Sequence, residues 1–188
     1  MKEKYYPWGG EFVECNPKSS VGVVLLDINY EPSKKVAIYG NLKTENIGIE
    51  KIVANVISNP HIRFLVICGN EIRGHRSGES LIALNKNGID NKNRIIDAPG
   101  AIPYIENLDK KAIDRFQKQI KIIDLLNITN KNLLDNKIND LLNKKIEPLD
   151  KPYIAIKIEQ NKTEISDKRA IHSKIVVDYI GKIKKRGK

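Results

Sequence analysis

The strongest constraint on what this chain can fold into is a pair of nearly unbroken apolar runs, residues 21–26 and 62–68. Runs of this length fit strands buried on both faces, as in a parallel sheet. A strand with one wet face would instead alternate apolar and polar residues. Residues 36–39 and 94–96 read as two further strands. Between 36–39 and 62–68 lies 44–59, where Ile47, Ile52, Val53, Val56 and Ile57 fall at helical spacing. Thr44 and Asn46 are candidate N-caps for this helix, and Asn59-Pro60 is its stop. Strand, helix and strand in this order make a βαβ unit.

A polar, glycine-punctuated turn at 69–78 follows the third strand, and a helix over 77–86 buries Leu81, Ile82 and Leu84, with Gly88 as its stop. Residues 109–126 read as one helix carrying Ile113, Phe116, Ile120, Ile123 and Leu126 on a single face. Residues 130–143 read as another amphipathic helix, and 153–158 alternates like an edge or closing strand. The alternation of strands and helices predicts an α/β fold: a Rossmann-like layered sheet, mostly parallel, with helices on both faces. Residues 1–160 form the predicted α/β domain. Residues 161–188 form a basic tail whose last amphipathic stretch includes Ile171, Ile175, Val176, Tyr179, Ile180 and Ile183.

Size and composition support this reading and weaken others. A chain of 188 residues buries enough surface to fold without disulfides or a structural metal. Two cysteines, Cys15 and Cys68, are too few for a disulfide framework or a Cys-rich zinc site and suit a reducing cytoplasm. No apolar run approaches the ~18 residues of a membrane span, and the opening residues lack the apolar stretch of a secretion signal. The net charge is +10, but residues 168–188 hold eight Lys or Arg against Asp178 alone, so seven of those charges sit in the tail. A nucleic-acid-associated protein is therefore favoured by charge only. No G-x-G-x-x-G, P-loop or nucleophile-elbow motif is present.

In open α/β sheets ligands bind beyond the carboxyl ends of the strands. Three polar turns are expected there, at 41–46, 69–78 and 97–103. His75 lies in the longest, between Gly74 and Gly78, where an imidazole has little apolar surface to cover. The residues alone leave it either an ordinary polar loop residue or a ligand. His61, before a strand, and His172, in the tail, read as solvated side chains, and Cys68 as a small core hydrophobe.

The stretch Lys43-Thr44-Glu45-Asn46-Ile47-Gly48-Ile49-Glu50-Lys51 adds a further element. With Ile62-Arg63-Phe64-Leu65, Cys68-Gly69, Gly74-His75, Gly78, Ser80 and Gly100-Ala101-Ile102-Pro103, it resembles the A subunit of the tetrahydromethanopterin S-methyltransferase of methanogenic archaea, over about residues 8–125. The resemblance implies a cobamide whose cobalt carries a methyl group from methyl-tetrahydromethanopterin to coenzyme M, within a membrane complex that exports sodium. The family's axial histidine lies in a Gly-His-x-x-Gly turn, here Gly74-His75-Arg76-Ser77-Gly78, so the resemblance makes His75 the metal ligand. Around it, the implied cofactor contacts are Leu42, Thr44, Asn46, Gly69, Asn70, Glu71, Gly74, Gly78, Ser80, Gly100, Ala101, Ile102 and Pro103, with no catalytic side chain. A histidine that binds cobalt in one state and leaves it in another reports the methylation state as a movement of its loop. Glu71, Glu79 and Asp97 are the carboxylates expected to orient the imidazole.

Family members end in a transmembrane anchor on the cytoplasmic face of the membrane. This chain has only the basic amphipathic stretch at that place, so the expectation is a cytoplasmic homologue or domain. Two roles follow from the resemblance: a methyltransferase component working with other subunits, or a non-catalytic cobalamin-binding store.

Overall fold

Every residue of β2 (Val21–Leu25) is buried, and so is every residue of β4 (Phe64–Gly69). The two strands lie side by side, parallel, at the centre of a five-stranded sheet. The structure, a computed structural model, describes residues 5–72 and 74–156, together with the backbone of 175–177 and 183–185. In chain order the first unit, Met1–Ile156, contains β1 (Phe12–Glu14), β2, β3 (Ile38–Asn41), α1 (Ile47–Ser58), β4, α2 (Ser77–Asn87), α3 (Lys110–Gln119), β5 (Lys121–Leu126) and α4 (Lys131–Leu142). The second unit, Lys157–Lys188, contains β6 (Ile175–Val177) paired antiparallel with β7 (Ile183–Lys185). The tail residue His172 lies outside the described residues.

The sheet order is β1-β3-β2-β4-β5, with only the edge strand β1 antiparallel to its neighbour. The chain leaves β2 for β3 on one side and returns past β2 through α1 to reach β4 on the other. The reversal puts the topological switch point at the carboxyl ends of β2 and β4, the place where an α/β sheet takes its ligand.

Side-chain alternation divides the core between the two faces of the sheet. Val24, Leu26, Leu65 and Ile67 face one way, against Ile49 and Val53 of α1, Leu81 and Leu84 of α2, and Ile113 and Phe116 of α3. Val21, Val23, Phe64, Val66 and Cys68 face the other way, against Leu134, Ile138 and Leu141 of α4. The expected mostly parallel sheet with helices on both faces is what the chain forms. Truncating a fully buried side chain such as Phe116 to alanine costs about 3–5 kcal/mol.

Local signals account for most helix ends. Asn46 caps α1 by accepting from Ile47 N, and Thr44 Oγ1 accepts from Gly48 N at 2.9 Å, so both candidate caps contribute. Gly88 ends α2 with φ of +74°, a left-handed conformation that costs glycine nothing.

Three expectations need correction. Residues 109–126 are not one helix: α3 ends at Gln119, and β5 follows at once, pairing parallel with β4 from Phe64↔Lys121 to Gly69↔Leu126. The buried Gln119 side chain donates to Val56 O, Asn59 O and Ile62 O, which fixes the point where the helix stops. The backbone groups on the open side of β4 take partners from β5 in preference to a longer helix. Residues 94–96 form isolated bridges, Arg94 with Tyr104 and Ile95 with Ile89, and the buried Ile95 pins this loop to the core. The described part of 153–158 is no strand: Tyr153 N donates to Ile57 O and the segment packs along the core. Conversely, the short edge strand β1 carries too few residues to have been read from alternation.

Candidate functional site

The three polar turns meet at one carboxylate. Glu45, in the turn after β3, is only 5% exposed. Its Oε1 accepts from Arg76 N at 3.0 Å and its Oε2 from Ile102 N at 3.0 Å. It thereby ties the β3–α1 turn to the β4–α2 turn and to the loop around Gly100. Burial pushes the Glu45 pKa up. The N–H groups of Ile102 and Arg76, then His75 and the Ala101 N–H, outweigh that effect and leave the carboxyl below its ordinary value.

His75 stands against this anchor. Its N–H donates to Ile72 O at 2.8 Å, closing the turn, and its Nδ1 lies 3.6 Å from Glu45 Oε1. The side chain is 54% exposed. With Nδ1 on the side of the buried carboxylate, Nε2 is left with no hydrogen bond among the described residues. At this separation the pair is an electrostatic contact and not a hydrogen bond. Glu45 was not among the candidate carboxylates expected from sequence beside the imidazole. Of those, Glu79 pairs with the Arg76 guanidinium, Asp97 accepts from Asn87 Nδ2 at 3.2 Å, and Glu71 caps α2 by accepting from Glu79 N at 2.7 Å. The sequence signal for Glu45 is a carboxylate between two helix-capping residues, and its importance shows only when distant turns meet.

The other residues expected at the site divide by position. Gly74 is exposed, has φ of +84° and has no atom within 4 Å of the place a Cβ would take, so the tip of the turn is open. Gly100 is the opposite: a Cβ there would lie within 2.8 Å of Ser80 Oγ and press into the Glu45 carboxylate. Ser80 Oγ donates to Arg76 O at 2.7 Å. Gly78 lets α2 pack against Leu26, Leu126 and Glu71. Asn70 bridges to Asp27 across the ends of β4 and β2, and Gly69 closes against Ile28. Thr44 and Asn46 serve as caps, Leu42 is fully buried beneath them, and Pro103 is buried while Ala101 is exposed. Ile47 and Ile102 are large apolar residues exposed at 40% and 61%, the first lying two residues after Glu45 and the second donating its N–H to it.

Two buried polar atoms at the base of the β4–α2 turn have no hydrogen-bond partner among the described residues: Glu71 Oε2 and Ser77 Oγ. Among the described residues no three of His, Cys, Asp and Glu cluster closely enough to hold a metal ion by themselves, and no helix is long and apolar enough to cross a membrane.

Comparison with known proteins places the chain in a family. Residues 2–166 match the family of the A subunit of tetrahydromethanopterin S-methyltransferase. A protein of Methanosarcina acetivorans, provisionally named as the A subunit of a methyltransferase Mtx, is 46% identical over 128 residues, 68% of this chain and 65% of that protein. The first of the tetrahydromethanopterin S-methyltransferase A subunits of Methanothermobacter thermautotrophicus is 41% identical over 159 residues, 82% of this chain and 67% of its own length. The second of those of Methanobrevibacter ruminantium is 38% identical over 157 residues, 81% of each chain. The chain thus spans about two thirds of the length of the first two relatives, and more of the third. It belongs to the family of tetrahydromethanopterin S-methyltransferase A subunits.

Proposed function

We propose that this chain is the corrinoid-carrying component of a methyltransferase, with His75 Nε2 as the axial ligand to cobalt. The methyl donor is of the tetrahydromethanopterin type and the acceptor is a thiol of the coenzyme M type. Other subunits bring these substrates to the carrier. Family membership supports the methyl-transfer role. The observation that carries the cofactor reading is a half-exposed imidazole held against a buried carboxylate at the switch point of the sheet.

The residues fit a corrinoid. A corrin ring brings its own equatorial nitrogens, so one protein nitrogen is enough, and the lack of a three-residue metal cluster among the described residues is compatible with that. The exposed Ile47 and Ile102 offer apolar surface for a flat macrocycle. Glu71 Oε2 and Ser77 Oγ are buried polar atoms still wanting partners. When bound, a corrinoid supplies a cobalt centre that accepts a methyl group and gives it up again.

The protein's part is positioning. Glu45, 3.6 Å from Nδ1, steers the imidazole electrostatically and, by holding Arg76 N and Ile102 N, sets where the histidine turn stands relative to the other two. The open tip at Gly74 leaves that turn room to move as His75 binds or releases.

The test is a visible-spectrum titration with hydroxocobalamin. A shift of the corrinoid bands with the intact protein, absent with a folded His75→Ala variant, is the expected result. Identical spectra for the two proteins would overturn the axial role. Methyl transfer from methyl-tetrahydromethanopterin to the bound corrinoid, with partner subunits supplied, separates a carrier from a cobalamin store.

A further inference from the structure

The two orphaned polar atoms at the first turn of α2 say something more specific than that a ligand binds nearby. Ser77 is 0% exposed, and its hydroxyl, able to donate and accept, does neither among the described residues. Glu71 uses Oε1 to cap Glu79 N at 2.7 Å, and its Oε2, an acceptor only, is buried without a donor. An unpaired buried polar group costs free energy, and two in one turn call for an explanation. A ligand group that offers both a donor and an acceptor would satisfy the pair. A primary carboxamide is such a group: its N–H can donate to Glu71 Oε2 while its carbonyl accepts from Ser77 Oγ.

We infer that Glu71 and Ser77 form a carboxamide subsite that takes one of the amide arms at the rim of a corrin ring. This rests on the corrinoid reading above and adds to it a second point of attachment, in the same β4–α2 connection as His75. Gly78 lies close by: a Cβ there would come within 2.9 Å of Glu71 Oε1 and 2.8 Å of Leu26 Cδ1, so any larger residue would make these side chains shift. Both orphaned atoms are shielded from solvent, and in sequence they flank the exposed part of the same connection, Gly74, His75 and Arg76.

Ser77→Ala separates this from a purely structural role. Removing a hydroxyl that has no partner leaves the melting temperature of the cofactor-free protein unchanged or raised. The same change weakens hydroxocobalamin binding roughly threefold to tenfold, the worth of one hydrogen bond. Glu71→Gln, which keeps a capping oxygen but turns the other position into a donor, weakens binding similarly. In both variants the bands of the bound corrinoid keep their wild-type positions, because His75 is untouched. Among cobalamin derivatives in which one propionamide is a carboxylate, one binds more weakly to the wild type than the others, and Ser77→Ala narrows that difference. Unchanged affinity in Ser77→Ala, or a lowered melting temperature with unchanged affinity, overturns the subsite while leaving the corrinoid reading intact. Failure of the wild type to bind any corrinoid overturns both.

Discussion

Replacing Glu45 by glutamine tests whether one carboxylate holds the three turns together. In the native protein its two oxygens accept from Arg76 N and Ile102 N, both at 3.0 Å, and the side chain is 5% exposed. Glutamine keeps one acceptor and turns an NH2 group toward the other N–H. One charge-assisted bond is lost, worth about 1.5–3 kcal/mol when buried, and the surviving one becomes neutral and weaker. The expected loss is about 2–4 kcal/mol, or roughly 5–15 °C in melting temperature for a chain of this size. The assay is urea denaturation of the cofactor-free protein followed by circular dichroism. His75→Ala is the control: its side chain is 54% exposed and 3.6 Å from Glu45, so its removal changes stability by less than about 0.5 kcal/mol. A Glu45→Gln loss as small as the control's would refute the idea that this carboxylate anchors the turns.

Three further outcomes follow from the same geometry. Glu45→Gln also lowers hydroxocobalamin affinity about tenfold, by freeing the imidazole it orients, which a binding titration measures. Gly100→Ala drives a methyl group against Ser80 Oγ and the Glu45 carboxylate and destabilises the protein by about 1–3 kcal/mol, measurable by the same denaturation series. Burial pushes the Cys68 thiol up to about 12, so iodoacetamide at pH 8 labels Cys15 and spares Cys68 until the protein is unfolded, as mass spectrometry of the peptides reports.

The parts of this fold that can be read in the sequence are those whose reasons are local. The runs that became β2 and β4 are buried on both faces, so they carry no alternation and announce a parallel sheet. The caps at Thr44, Asn46 and Gly88 act within a few residues. The junction of α3 and β5 is different: Ile113, Phe116 and Ile120 continue at helical spacing into Ile123 and Leu126, with no glycine or proline between them. What separates helix from strand there is Gln119 reaching Val56, Asn59 and Ile62, together with the hydrogen-bonding demand of β4, all of it long-range. Similarly, Ile95 is buried because a loop folds onto the core, which an apolar triplet cannot distinguish from a strand.

The site shows the same division. Residues flanking His75 point to an unusual turn, and a family resemblance points to its chemistry. Glu45, however, is separated from Arg76 by 31 residues and from Ile102 by 57, and nothing in its immediate neighbours says that it will be buried. Glu71, one of three candidate carboxylates for orienting the imidazole, caps α2, where Arg76 at the N-cap position offers no side-chain acceptor.

The most direct test of the account is electron paramagnetic resonance of the protein loaded with Co(II) cobinamide, which has no lower base of its own. A single axial imidazole from the protein splits the cobalt lines into triplets, and the triplets become doublets when the protein is made with 15N-labelled histidine. That change, absent in His75→Ala, is the predicted result. A spectrum indifferent to the histidine label would contradict the claim that His75 binds the metal.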